Sequence, residues 1–213
     1  MLAFARYCTL VLCLVISSQT LAANSSIDTV VMQTGRRWFY GSSKFLANEI
    51  STTLFYEISG IPLAMGGGLS FFDIRKRGLD VLDHQIRVEG AWGYEVSLEA
   101  KLWIPGLMLT LPFIPYLIYA HDLFSDYEIK GRNPIGSTKS EASTNGYKFS
   151  FGIDMPMNSS LTMNMEYSLG SQSIKYKYNR SYYIETDDSV KAQGSVEGSL
   201  ESQALLLGLG LSV

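Results

Sequence analysis

Between Gln85 and Ile104 apolar and polar positions alternate. One parity reads Ile86, Val88, Gly90, Trp92, Tyr94, Val96, Leu98, Ala100, Leu102 and Ile104; the other reads Gln85, Arg87, Glu89, Ala91, Gly93, Glu95, Ser97, Glu99, Lys101 and Trp103. In an extended chain successive side chains point to opposite faces, so every charge of this segment falls on one side. A helix would scatter those charges around its circumference. The segment is far longer than the roughly five or six residues usual for strands of soluble sheets, whereas long tilted strands are normal in membrane barrels.

The same period recurs. Thr52, Leu54, Tyr56 and Ile58 lead through the turn residues 59–62 into Leu63, Met65, Gly67, Leu69 and Phe71. Tyr147, Phe149, Phe151, Ile153 and Met155 lead through residues 158–160 into Leu161, Met163, Met165, Tyr167 and Leu169. The last strand sets Leu205, Leu207, Leu209, Leu211 and Val213 against the small residues Gly208, Gly210 and Ser212, which suits a narrow lumen. With further strands expected over residues 37–46 and 117–129, the count reaches eight, an even number as bacterial single-chain barrels require. Connection lengths agree: 59–62 and 158–160 are short, while 74–84, 132–146 and 179–198 are long and polar and are expected as outward loops. Both termini then lie on the periplasmic side. The apolar connection 105–115, interrupted by Pro105, Pro112 and Pro115, receives no element.

Composition narrows the class. Of 213 residues 46% are hydrophobic and 17% charged, below the roughly 25% charged residues of soluble domains. Net charge is -3 and no basic run exceeds Arg75-Lys76-Arg77, which argues against nucleic acid as a partner. Arg6, the apolar run from Thr9 to Ile16 and Leu21-Ala22-Ala23 form the pattern of a cleaved signal peptide over residues 1–23, leaving 24–213 as a single barrel domain. Cys8 and Cys13 leave with that signal, so neither disulfides nor thiolate-bound metals are expected. No later stretch of about 18 uninterrupted apolar residues calls for a spanning helix. Phosphate-binding and dinucleotide glycine spacings are absent, as is a zinc-ligand cluster, so no cofactor and no metal are expected.

With these strands placed, the chain resembles the small eight-stranded outer-membrane barrels, the OmpA-transmembrane, OmpX and opacity-protein type. The ending Gly208-Leu209-Gly210-Leu211-Ser212-Val213 is similar to the C-terminal signal read by the barrel-assembly machinery of that family, with Gly208, Leu211 and Val213 at its defining positions; members usually end in an aromatic residue, and this sequence has Val213. The resemblance implies an all-β, antiparallel, up-and-down transmembrane barrel in the outer membrane of a Gram-negative bacterium. The partners it implies are outer-membrane lipid and lipopolysaccharide, the assembly machinery, and an extracellular ligand of the loops. It does not fix a function, because such barrels include anchors, adhesins, pores and lipid-modifying enzymes.

Inward parity nominates Arg87, Glu89, Glu95, Glu99, Lys101, Lys148, Asp154 and Glu166 as a lumen charge network. An eight-stranded interior is just wide enough for side chains to fill it, so packed ion pairs are expected there. A narrow cation-preferring path is the alternative, since carboxylates outnumber bases on that face. A lipid A-modifying enzyme is a second alternative, for which only His84 beside Asp83, and His121 beside Asp122 with Ser125 nearby, supply an imidazole and a carboxylate. Trp38, Phe39, Tyr40, Phe71, Phe72, Trp103, Phe124, Tyr127, Tyr176 and Tyr178 are expected as interfacial girdles. Together these residues predict a non-enzymatic barrel that anchors polar extracellular loops for surface interaction or envelope integrity.

Overall fold

The computed structural model describes residues 29–41, 45–74, 79–81, 84–104, 113–133, 136–183 and 189–212, some of them by their backbone path alone. Strands β1 (Thr29–Gly41), β2 (Phe45–Glu57), β3 (Leu63–Ile74), β4 (Leu79–Val81), β5 (His84–Trp103), β6 (Ile114–Asn133), β7 (Gly136–Pro156), β8 (Leu161–Tyr183) and β9 (Ser189–Ser212) follow one another. Each long strand pairs antiparallel with its neighbours, β1 pairs with β9 and β3 with β5, so eight long strands close a barrel while β4 only edges β5. The expected all-β, eight-stranded, up-and-down architecture is the one observed. No helix among the described residues is long and apolar enough to cross a membrane.

Register fixes the barrel's shape. Stepping across hydrogen-bonded partners from Leu211 through Val30, Leu54, Gly67, Leu98, His121, Tyr147 and Ser171 returns to β9 at Glu201, ten residues from the start. A stagger of that size over eight strands tilts them by about 40° from the barrel axis, within the range of membrane barrels.

Facing follows the parity. Leu98, Leu102, Phe149, Phe151, Met163, Met165, Leu207 and Leu209 are all exposed on the outer wall, while Glu95, Lys101, Lys148, Asp154 and Glu166 are buried inside. Apolar positions outside and ions inside invert a water-soluble barrel, so hydrocarbon is the solvent this wall fits. Outward apolar residues of β5 run from Trp92 to Leu102, eleven positions, the length a tilted strand needs to cross a bilayer.

The short turns form as expected. Ile58 and Leu63 close one hairpin, with Gly60 at φ 86°, where a residue without Cβ is favoured. Asn158 Oδ1 accepts from the backbone N–H groups of Ser160 and Leu161, both at 2.9 Å, and so builds the second. Thr29 and Ser212 pair at this same end, the periplasmic one in outer-membrane barrels.

Three expectations need correction. Residues 37–46 are not one strand: β1 ends at Gly41, whose φ of 106° suits the turn, and β2 begins at Phe45. Residues 132–146 and 179–198 are mostly strand rather than loop, because β6 reaches Asn133, β7 starts at Gly136, β8 reaches Tyr183 and β9 starts at Ser189. Beyond the lipid both faces of a strand meet water, so the apolar alternation that marks a strand disappears there. Of the connection 105–115, residues 105–112 lie outside the described ones; Ile114 and Pro115 open β6, an end position that proline tolerates.

Candidate functional site

The lumen is built in layers. At its outer end Arg37, from β1, donates twice to Glu49 on β2, through Nε at 2.8 Å and Nη2 at 2.7 Å, and its guanidinium lies 5.4 Å from the Phe72 ring. The pair is almost wholly buried, and two parallel bonds between planar groups are the arrangement best able to hold a buried charge pair. Beside it Glu95 accepts from Lys148 at 2.8 Å, from Gln172 at 2.7 Å and from the Tyr127 hydroxyl. Asp122 forms an ion pair with the same Lys148 at 3.1 Å and accepts from the same Gln172 at 2.6 Å. Phe39, Phe72 and Tyr127 cap these ions: Phe72 stacks on Tyr127 at 5.7 Å, and Phe39 meets both edge-on at 5.9 and 6.4 Å.

In the middle layer Gln33 Nε2 donates to Asn164 at 3.1 Å and to Glu166 at 3.0 Å, and the Tyr116 hydroxyl donates to Glu166 at 3.3 Å. Glu99 accepts from Ser97 at 2.9 Å and from Thr53 at 3.3 Å. The void here is about 20 Å³, room for roughly one water.

The inner layer opens. Lys101 binds Asp154 at 2.6 Å, the Trp103 indole N–H donates to the same oxygen at 2.9 Å, and the ammonium sits 4.0 Å from the Tyr116 ring centre. Around them Val31, Ile114, Thr162, Gly210 and Ser212 line a cavity of about 330 Å³ at the mouth on the side of the short turns.

Two lumen glycines exist for the tyrosines. A Cβ on Gly93 would stand 2.2 Å from the Tyr127 ring, and one on Gly152 the same distance from that of Tyr116. Each ring lies over the glycine paired directly with it on the neighbouring strand, Tyr127 over Gly93 of β5 and Tyr116 over Gly152 of β7, where any other residue would displace it.

Of the residues nominated from sequence, Glu95, Glu99, Lys101, Lys148, Asp154 and Glu166 all line the lumen. The side chains of Arg87 and Glu89 lie outside the described ones, and the register of β5 against β6 shifts between Val88 and Gly90. Gly208 faces inward, where a Cβ would meet the Met32 carbonyl oxygen at 2.2 Å; Leu211 faces out, and Val213 is outside the described residues.

The girdle divides. Tyr40 and Phe124 face out, but Phe39, Phe72 and Tyr127 are the buried cap, and Trp103 turns its indole N–H to lumen Asp154. A bulge in β6 accounts for Tyr127. Leu123 and Phe124 both face out, so inward parity passes from Asp122 to Ser125 and on to Tyr127. The side chains of Tyr176 and Tyr178 are not among those described.

The imidazole pairs are not brought together either. His121 is exposed on the outer wall while Asp122 is buried inside, and the Ser125 hydroxyl is taken up by the Thr144 backbone at 2.9 Å. Asp83 and the His84 side chain lie outside the description.

Sequence reasoning missed Arg37, Glu49, Gln33, Tyr116 and Gln172. Their partners lie on other strands, and only the turn at Gly41 fixes the register that sets Arg37 beside Ala47, two residues from Glu49.

No protein-family model matches the chain, and no curated protein matches it by sequence. Solved structures do match by shape. Neisserial surface protein A is 12% identical with a TM-score of 0.55, the match covering 87% of this chain and 96% of that one. A major outer membrane protein from Thermus thermophilus is 13% identical with a TM-score of 0.54, over 86% of this chain and 99% of that one. The closed barrel and this likeness give the chain the fold of the small eight-stranded outer-membrane barrels, with an outer wall suited to lipid.

Proposed function

We propose that this protein is a sealed, non-enzymatic barrel of the bacterial outer membrane that anchors an extracellular β-wall for surface interaction or envelope integrity. The observation that carries this reading is the outer lumen layer. Arg37 is paired with Glu49, and beside them Glu95, Lys148, Asp122 and Gln172 form a second bonded cluster, both under the rings of Phe39, Phe72 and Tyr127 and above a void of about 20 Å³. Opening a path would strand several buried charges at once, and each costs several kcal/mol without its partner, by order of magnitude.

A narrow cation-preferring pore is the second reading. It draws on the inner cavity and on the surplus of inward carboxylates, Glu99 and Glu166 among them, over Arg37, Lys101 and Lys148. Planar-bilayer recording of the refolded barrel separates the two. A silent bilayer is expected once insertion has been verified, and steady unitary conductance would replace the sealed anchor with the pore.

A further inference from the structure

The barrel has a low side and a tall side. β1, β2 and β3 contain 13, 13 and 12 residues, whereas β5 to β9 contain 20 to 24. Beyond the lipid band the tall strands continue as an open sheet, and an open sheet has two edges. On one edge β4 covers β5, Leu79 to Val81 pairing with Ile86 to His84. On the other, β1 stops at Gly41 opposite Leu200, and among the described residues no strand lies along β9 from Ser189 to Gly198, although β8 pairs with it throughout on the far side. A strand edge of this length is a ready template for another strand.

We infer that this β9 edge pairs antiparallel with the β9 edge of a second copy standing in a facing membrane, so that the protein tethers one surface to another. The inference builds on the surface-interaction role proposed above. Antiparallel self-pairing about Gly194 sets Lys191 opposite Glu197 of the copy, and Glu197 opposite Lys191, with Ala192 facing Val196 and Gln193 facing Ser195. Opposite charges on directly opposed strand positions favour such a pair. Glu197 already stands on the exposed face, 2.9 Å from Lys175 of β8, so the copy's lysine position would extend that row. Ser189, Ala192, Gly194, Ser195 and Gly198 of the segment are small, which favours a close approach.

Geometry decides where the copy must be. A two-fold axis perpendicular to the sheet, midway between the two Gly194 residues, reverses the strand and inverts the barrel, which puts the copy in an opposing membrane. Two copies in one membrane are related by an axis along the membrane normal, and with strands tilted by about 40° their β9 edges would cross at about 80° and could not form a ladder. Among the described residues, β1 to β3 end at a low rim beside β9, on the side that the descending wall of the copy would occupy.

The test reconstitutes the full barrel into two populations of phosphatidylcholine vesicles, one carrying a fluorescent donor lipid and the other an acceptor, and reads tethering as energy transfer. The unaltered protein is expected to tether. Lys191→Glu and Glu197→Lys are each expected to tether roughly tenfold less within their own population, because like charges then oppose each other twice. Mixing the two variants, or combining both changes in one chain, is expected to restore tethering, since the pairs become complementary again. Failure of the unaltered barrel to tether, single variants that tether normally, or no restoration on mixing would each overturn the inference. Conductance measured on the same preparations keeps the two proposals apart: a conducting barrel that tethers sinks only the sealed anchor, and a silent barrel that does not tether sinks only the edge pairing.

Discussion

The two ends of the lumen handle charge differently. At the outer end Arg37 and Lys148 each face buried carboxylates, the rings of Phe39, Phe72 and Tyr127 shut off water, and every ion depends on its protein partner. At the inner end Lys101 and Asp154 form a bond just as short, yet they border an open cavity of about 330 Å³. Similar chemistry therefore has different consequences: breaking the outer pair leaves a charge in a dry interior, while breaking the inner pair leaves one that water can reach.

The largest effect that can probe this difference is Arg37→Ala. Glu49 loses both strong donors in a fully buried place, and a loss of about 3–5 kcal/mol is expected in urea unfolding of the barrel in lipid vesicles. Gly93→Ala comes next. Its methyl group would stand 2.2 Å from the Tyr127 ring and push that ring off Phe72 and Glu95, for a cost of about 1–3 kcal/mol and a loosened cap. Smallest is Lys101→Met, which nearly keeps the side-chain volume. Asp154 retains its Trp103 bond and gains water from the cavity, so about 1–2 kcal/mol is expected. If Lys101→Met cost as much as Arg37→Ala, the inner end would be as dry as the outer one and the contrast would fail.

How much of this was legible depended on whether lipid was near. Across the bilayer the outer face must be apolar, so β5, β7, β8 and the end of β9 declare themselves by parity, and Glu95, Lys101, Lys148, Asp154 and Glu166 follow as lumen residues. Outside the bilayer that constraint lapses. Glu141, Ser143, Asn145, Ser195 and Glu197 are exposed strand residues, which is why the tall wall reads as loop in the sequence. The cap was hidden for another reason. Aromatic residues near strand ends suit an interfacial girdle and a lumen plug equally well, and only the β6 bulge at Leu123 and Phe124 turns Tyr127 inward. Arg37 with Glu49, and Gln172 with Glu95, are pairings across strands, which no local pattern encodes before the register is known.

The contrast between a sealed outer end and a wet inner end is tested most directly by thiol accessibility. Thr162→Cys places a thiol on the wall of the inner cavity and Ala204→Cys places one in the buried outer half, in a mature chain expected to carry no other cysteine. In vesicles whose interior and exterior are both supplied with a small membrane-impermeant thiol reagent, the account predicts rapid labelling at position 162 and protection at 204 until the barrel is unfolded. Equal labelling of both positions in the folded barrel would contradict it.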